Sequence, residues 1–433
     1  MIKIYLKQAW TLMKQNRLFT TIYVGGTGLS IALTMTLFII FYVKMAPIYP
    51  EYNRDRTMVI KGIKCAPKGN PGSWSIDGGA SYYVAKEMIP SLPHAEVVGA
   101  AFSSMQMSES PTISLPGREE TEALVNYADT GFWRVFTFDF VQGAPFAEED
   151  VEGNVPVAVV SRSTAMRLFA STDVVGRHFL LDGCDFRVCG VVEDVSNATP
   201  DTAGDLWVPL FHSRWAEYDR SGTDLTGSTA CYILAKDGDT EALKAEVEEC
   251  FRKHNLQNTE YEHDLLGQPY VYWQSSLRGE SFEPLDLWQS TKFFLYMLLA
   301  LLFIPALNLS GMISSRMDGR LSELGVRKAY GATNGQLVRQ VLFENLFLTC
   351  AGGVLGLLVA YLIVYTSSNW ILYLFDDWVM NTRGVSLQPE MLFNPTLFAL
   401  TFGLCILLNL ISAYIPAALA LRRSIISSIH AKL

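Results

Sequence analysis

The sequence predicts a membrane protein with four transmembrane α-helices, arranged one-plus-three around a large mixed α/β extracytoplasmic domain. Three observations carry that reading. Stretches 20–43, 290–313, 345–366 and 395–420 are predominantly apolar and long enough to span a bilayer, which takes about 20 residues. Basic side chains gather beside them: residues 1–19, 314–340 and 421–433 hold twelve of the 34 Lys/Arg and two of the 43 Asp/Glu. The rest of the chain carries 22 basic and 41 acidic residues, a net of −19. Positive flanks mark the cytoplasmic side, which puts the acidic segment 44–289 outside. Half of the 433 residues are hydrophobic, too many for a soluble protein and too few for a polytopic one with short loops. No basic stripe marks a nucleic-acid footprint.

In chain order, residues 1–19 place Lys3, Lys7, Lys14 and Arg17 among Ile2, Leu6, Trp10 and Met13, a pattern for an amphipathic helix lying in membrane lipid headgroups. Residues 20–43 carry no charge and are too long for a signal-peptide core. We expect an uncleaved anchor with its N-terminus inside. Gly25 and Gly28 offer a smooth packing face there.

The outer segment 44–289 opens with a strand-like TMVIKGIK at 57–64 and a turn-rich loop at 66–79. Residues 82–89 read as a helix, 96–105 and 229–235 as strands, and 270–275 as a last strand. Residues 240–254 form an amphipathic helix with Leu243, Val247, Cys250 and Phe251 on one face. Alternation of this kind argues for mixed α and β. Cys184 and Cys189 lie five apart on an expected hairpin, LLDGCDFRVCGVV. We read them as small buried thiols rather than a disulfide. Gly176 and Gly183 suit turns that need positive φ.

Within the second span, Pro305 and Asn308 interrupt the apolar stretch, suiting a kink and an interhelical hydrogen bond. The third span contains Gly352 and Gly356, a small-xxx-small pair. Glu344 at its border is expected to pair with a basic residue. Segment 367–394 returns outside with Trp370, Tyr373 and Trp378 as interfacial aromatics. The fourth span has Pro416 near its inner end, and Arg422, Arg423 and Lys432 hold the tail 421–433 inside.

The cytoplasmic loop 314–344 is the most informative stretch. Arg316, Arg320, Arg327 and Lys328 make it basic, and Leu321, Leu324 and Val326 give it some apolar surface. Glu323 and Arg327 stand four apart with the acid first, the favourable order for a helical pair. Gly331 follows as a glycine does just past a helix end. Thr333 and Gln336 are spaced as a capping box, so a second helix should begin there and run into the third span. A short helix rigidly joined to a spanning helix can pass force from a soluble partner into a membrane. The plainer reading is an ordinary basic cytoplasmic loop.

The order Glu323-Leu324-Gly325-Val326-Arg327-Lys328-Ala329, then Gly331-Ala332, resembles the E-[IL]-G-[IV]-R-[KR]-A-x-G-A signature of FtsX/MacB-type permeases of ABC transporters. The resemblance implies that this helix, with Arg320, docks into a cytoplasmic ABC ATPase. The outer segment is similar to the MacB-like periplasmic core domain. It has an F-x-x-G-x-P-F motif within 138–146, A-V-V-S at 158–161, V-G-R at 175–177 and V-x-G-V-V-x-D-V at 188–195. That likeness implies a β-rich insert, near 128–228, within a βαβ-containing part formed from both ends.

Enzyme chemistry is not signalled. No G-x-x-x-x-G-K-[ST] phosphate cradle occurs in the 433 residues, so ATP and Mg are expected on a separate partner subunit and no cofactor on this chain. Ser161 lacks the glycines of a nucleophile elbow. Glu260, Glu262, His263 and Asp264, with His254, lack metal-site spacing and read as a solvated acidic turn. No catalytic or metal residue is assigned. The resemblance further implies a dimer with a second permease copy or paralogue, a periplasmic adaptor or outer-membrane partner, and the bacterial inner membrane. It implies export or extraction of a bulky peptide, lipoprotein or antibiotic. The alternative is an FtsX-like regulator that switches a periplasmic partner without moving cargo.

Overall fold

The computed structural model describes residues 11, 14, 15, 17–69, 75–104, 111–213, 224–277, 284–319, 321–373 and 395–421. For residues 304–309, 312, 316, 318, 319, 321, 322, 324, 367–373, 397 and 420 it describes the backbone alone. The expected N-terminal amphipathic helix, Arg320, Trp378 and the tail beyond 421 lie outside the described residues. So do the side chains of Pro305, Asn308, Trp370 and Tyr373. The chain forms two compact units, one centred on Tyr42–Ser290 and one drawn from helices on either side of it in sequence.

Helix α1 (Arg17–Met45) leads out of the helical unit. Strands β1 (Thr57–Ile60), β2 (Ile63–Pro67), β3 (Ile76–Ala80) and β4 (Ala95–Ser103) follow. Between β3 and β4 the expected helix is a π-type turn, Val84–Met88, closed by a 3-10 turn, Ile89–Ser91. Pro90 enters the first turn of that short element, where a missing N–H costs nothing. Next come β5 (Thr112–Ser114), β6 (Thr121–Glu122), β7 (Val125–Ala128), α2 (Thr130–Val135), β8 (Phe140–Gly143), α3 (Glu148–Glu152), β9 (Val157–Ser161) and α4 (Arg162–Phe169). After them stand β10 (His178–Leu181), β11 (Cys184–Val192), β12 (Leu206–Pro209), β13 (Thr226–Gly227), β14 (Ala230–Ala235), α5 (Thr240–Gln257), β15 (Tyr261–Asp264), β16 (Tyr270–Val271) and α6 (Tyr272–Ser275).

Twelve strands make one sheet in the order β16-β1-β14-β4-β7-β12-β9-β11-β10-β5-β6, with β8 added on β11. β13-β3-β2-β15 make a second. The first four strands of the long sheet come from both ends of the domain, and the rest form the inserted β-rich part. That part takes in β5, β6 and β7, upstream of the expected edge at 128, because β5 pairs with β10 and β7 with β12. The last expected strand is also shorter: only Tyr270 and Val271 pair with β1, and the chain then turns into α6.

Local chemistry explains the insert's motifs. Asp182 and Gly183 both take positive φ, 47° and 78°, as a two-residue I′ hairpin between β10 and β11 requires. Gly143 lies opposite Gly190, and a Cβ on Gly143 would meet the Cys189 carbonyl at 2.2 Å. That close approach accounts for the glycine in the F-x-x-G-x-P-F motif. Its aromatics Phe140 and Phe146 pack on Trp133 with ring centroids 5.6 and 5.5 Å away, and Trp133 packs on the fully buried Trp207 at 6.1 Å. Cys184 is exposed and Cys189 half-buried, which corrects the expectation of two buried thiols. Both stand on β11, roughly 16 Å apart at the rise of a strand, so no disulfide joins them. On α5, Leu243, Val247 and Phe251 are buried one turn apart, with Cys250 half-buried.

Asp129 caps α2, its Oδ1 accepting from the Phe132 N–H at 2.9 Å. Burial pushes this carboxyl up from 3.8 to about 6. The folded state therefore holds the proton more tightly than the unfolded one. The stability this brings is complete below pH 3.8 and is lost as pH rises through 6. Asp129→Asn keeps an oxygen acceptor and removes the buried charge. It should raise the unfolding free energy at pH 7 by on the order of 1–3 kcal/mol and flatten the pH dependence between 4 and 6, read by thermal melts of the full chain.

Candidate coupling element

The helical unit contains α7 (Leu287–Gly319), α8 (Leu321–Ala329), α9 (Asn334–Tyr373) and α10 (Pro395–Leu421) besides most of α1. Among the described residues, three helices are long and apolar enough to cross a membrane: Arg17–Met45, Asn334–Thr366 and Phe398–Leu419. The described part of α7 adds a shorter apolar stretch, Leu287–Phe303. Its backbone stays helical past Pro305.

The expected basic helix corresponds to α8, which follows α7 with only position 320, outside the described residues, between them. Its end is a Schellman motif: the Gly331 N–H bonds the Lys328 carbonyl at 2.9 Å and the Ala332 N–H bonds the Arg327 carbonyl at 3.0 Å. Gly331 sits at φ +92°, a left-handed conformation that glycine adopts without strain. Two residues on, Thr333 and Gln336 form a reciprocal capping box. The Gln336 N–H donates to Thr333 Oγ1 at 3.3 Å and the Thr333 N–H to Gln336 Oε1 at 3.1 Å. α9 then runs unbroken into the long apolar span.

Side chains tie α8 to its neighbours. Arg327 Nη2 donates to Glu323 Oε1 at 2.6 Å, while its Nη1 donates to Gln340 Oε1 on α9 at 2.7 Å. Gln340 Nε2 in turn donates to Glu344 Oε1 at 3.1 Å. Both Gln340 and Glu344 are buried. Glu344 thus reaches Arg327 through an amide. Lys328 Nζ donates to the Leu421 carbonyl at the end of α10. Gly325 is buried, Ala332 packs beside Leu337 and Val341, and Ala329 is exposed. Val326 is 48% exposed and Tyr330 89%, an apolar surface beside the basic one. The side chain of Leu324 is not among those described. The exposed Glu323–Arg327 pair contributes little energy by itself. Arg327 matters because one planar fork serves two helices.

The spans meet through glycine. A Cβ on Gly28 would meet the Gly352 carbonyl at 3.1 Å, and one on Gly356 the Gly28 carbonyl at 2.6 Å. Gly352 faces Thr27 and the Val24 carbonyl at 3.0 and 3.2 Å. Gly25 has nothing within 4 Å, which corrects its assignment to that face. The contact follows Val24, Thr27, Gly28 and Ile31, and position 25 is rotated off that stripe. Gly353 was not singled out by the sequence, yet the Phe402 ring occupies the space where its side chain would stand. Gln340 was also missed. Its spacing of four from both Gln336 and Glu344 was the available signal. His263 departs from the expected solvated turn: it is buried on β15, with Nε2 at 2.8 Å from Asp224 Oδ1.

Enlarging Gly356 or Gly352 to leucine should destabilise the chain in detergent by about 1–3 kcal/mol, the usual cost of overpacking. Gly25→Leu should leave the melting midpoint unchanged.

Comparison with known proteins agrees with this geometry. The family model for the MacB-like periplasmic core domain matches residues 20–249, and that for the FtsX-like permease C-terminal domain matches residues 294–425. The ABC transporter permease YknZ of Bacillus subtilis strain 168, itself uncharacterized, is 23% identical over 248 residues, 56% of this chain and 57% of that protein. The macrolide export ATP-binding/permease protein MacB 1 of Yersinia pestis bv. Antiqua is 24% identical over 434 residues, 96% of this chain and 59% of that protein. The chain thus spans under three fifths of the length of these curated relatives. The periplasmic region of MacB from Actinobacillus actinomycetemcomitans covers 48% of this chain and 88% of its own, at 19% identity and a TM-score of 0.34. With one family model spanning more than half its residues and the second most of the remainder, the chain belongs to the MacB/FtsX-type permeases of ABC transporters.

Proposed function

We propose that this chain is a four-span permease subunit that passes ATP-driven motion from a separate cytoplasmic ATPase to its periplasmic domain, for export or extraction of a bulky substrate. The observation that carries the reading is the anchoring of α8. A helix held by Arg327 to α9 and by Lys328 to the end of α10 cannot be displaced without moving both. A push delivered there becomes a movement of spanning helices. The exposed Val326 and Tyr330 beside Glu323 and Arg327 supply an apolar and charged surface for a docking partner. The relatives support the same class: one is named as a permease and the other as a macrolide export protein. In this reading ATP and Mg are bound by the partner ATPase. A second permease copy or paralogue completes the transporter in the bacterial inner membrane, and a periplasmic adaptor or outer-membrane partner receives the cargo.

The test is reconstitution of the full chain with its candidate ATPase in lipid nanodiscs. Glu323→Lys should break the pair with Arg327 and weaken ATPase association. Gly331→Val, strained at positive φ by roughly 1–2 kcal/mol, should lower lipid-stimulated hydrolysis without lowering the amount of folded chain. Hydrolysis and assembly unchanged by both substitutions would count against docking at α8.

A further inference from the structure

Arg54 and Glu51 form an ion pair almost without solvent, at 3% and 1% exposure. A guanidinium offers five N–H donors in a rigid fork, and the bonds of this one run in two directions. Nε and Nη2 donate to Glu51 Oε2 at 2.8 and 2.5 Å. Nη1 donates to the carbonyls of Val43 and Ala46 at 2.6 and 2.8 Å, acceptors left over where α1 ends. A cation there also meets the negative end of the helix dipole. The guanidinium carbon lies 5.3 Å from the centre of the Tyr272 ring, on the segment leading towards α7. Nearby, the Ser276 hydroxyl donates to the Lys44 carbonyl at 3.0 Å.

The second oxygen of Glu51 reaches the inserted β-rich part. Thr202 Oγ1 donates to Glu51 Oε1 at 2.7 Å. Thr202 stands in a buried turn between β11 and β12, and its neighbour Asp201 pairs with Lys61 at 2.6 Å. One buried pair therefore joins three segments: the last turn of α1, the stretch before α7, and a loop of the insert.

Stability does not explain this arrangement, because well-packed apolar side chains serve a buried site as well as an ion pair or better. What the pair supplies is direction, since a fork and a carboxylate bond in fixed planes. We infer that Glu51, Arg54 and Thr202, beside the bonds of the Thr137 N–H to the Pro50 carbonyl and the Asp139 N–H to the Tyr49 hydroxyl, form the charged joint through which the β-rich insert moves as one body with the end of α1. Arg54 is a positioning residue, acting through Glu51 on Thr202. The inference rests on the reading of this chain as a transmitter of motion. It names where that motion enters the insert.

The experiment uses the full chain in nanodiscs of short-chain and of long-chain phosphatidylcholine, since bilayer thickness changes the tilt of a spanning helix. No ATPase is present, so its outcome is independent of the docking test. Nitroxides are placed on Met45→Cys and, by brief labelling, on the exposed native Cys184, and their separation is measured by pulsed electron resonance. The otherwise unaltered chain should hold one narrow separation in both lipids. The pair replacement Glu51→Leu with Arg54→Met should lose the fixed separation, which broadens and shifts with thickness. Thr202→Val should give the same loss while leaving the cap on Val43 and Ala46 in place, and stands alone if the double replacement does not fold. A separation held by both variants in both lipids overturns the inference, as does one that drifts with thickness when the joint is intact.

Discussion

Backbone groups at the ends of helices constrain this protein more than any other feature. In hydrocarbon a peptide group must find its partner within its own segment, so each crossing is a helix. The last carbonyls and first N–H groups of each helix are then left over where the chain turns. Two of these ends have specific solutions: Arg54 serves the carbonyls where α1 finishes, and Thr333 with Gln336 closes the start of α9. Lys328 likewise reaches the Leu421 carbonyl on α10. Each cap is a polar side chain brought from another turn or another helix. Satisfying the backbone thereby also joins neighbouring segments, and rigidity at these places follows from hydrogen-bond necessity.

Between the ends, contact depends on small residues. Lipid tails are as apolar as leucine, so burying leucine between spans yields little association. Backbone approach at Gly28, Gly352 and Gly356 supplies the dispersion contacts instead. The outer domain solves a different problem, with water on its outside and a buried sheet. There large aromatics fill the core, and glycine appears where two strands crowd, as Gly143 and Gly190 do. The same residue type thus serves two environments for the same steric reason.

The candidate coupling element was largely legible before any coordinates. Its helix, its terminating glycine and its following capping box are local features set by spacings of three to five residues, and the Glu323–Arg327 pair belongs with them. The partners of Arg327 and Lys328 on other helices were not legible, since Gln340 and the Leu421 carbonyl lie thirteen and 93 residues away. Likewise the glycine-bearing face of α9 was readable as a pattern, while the choice of Gly28 over Gly25 required knowing how α1 is rotated.

By itself the sequence determined the apolar spans, the acidic outer segment, the hairpin turn at Asp182-Gly183 and the basic helical stretch ending at Gly331, because each follows from composition or from neighbours a few residues apart. Only the tertiary structure decided that the insert begins by β5, that Cys184 faces water, that His263 is buried, and that Glu51, Arg54 and Thr202 meet. Thr202 lies 151 residues from Glu51, and no periodicity reports a contact closed by the folding of a whole sheet between them.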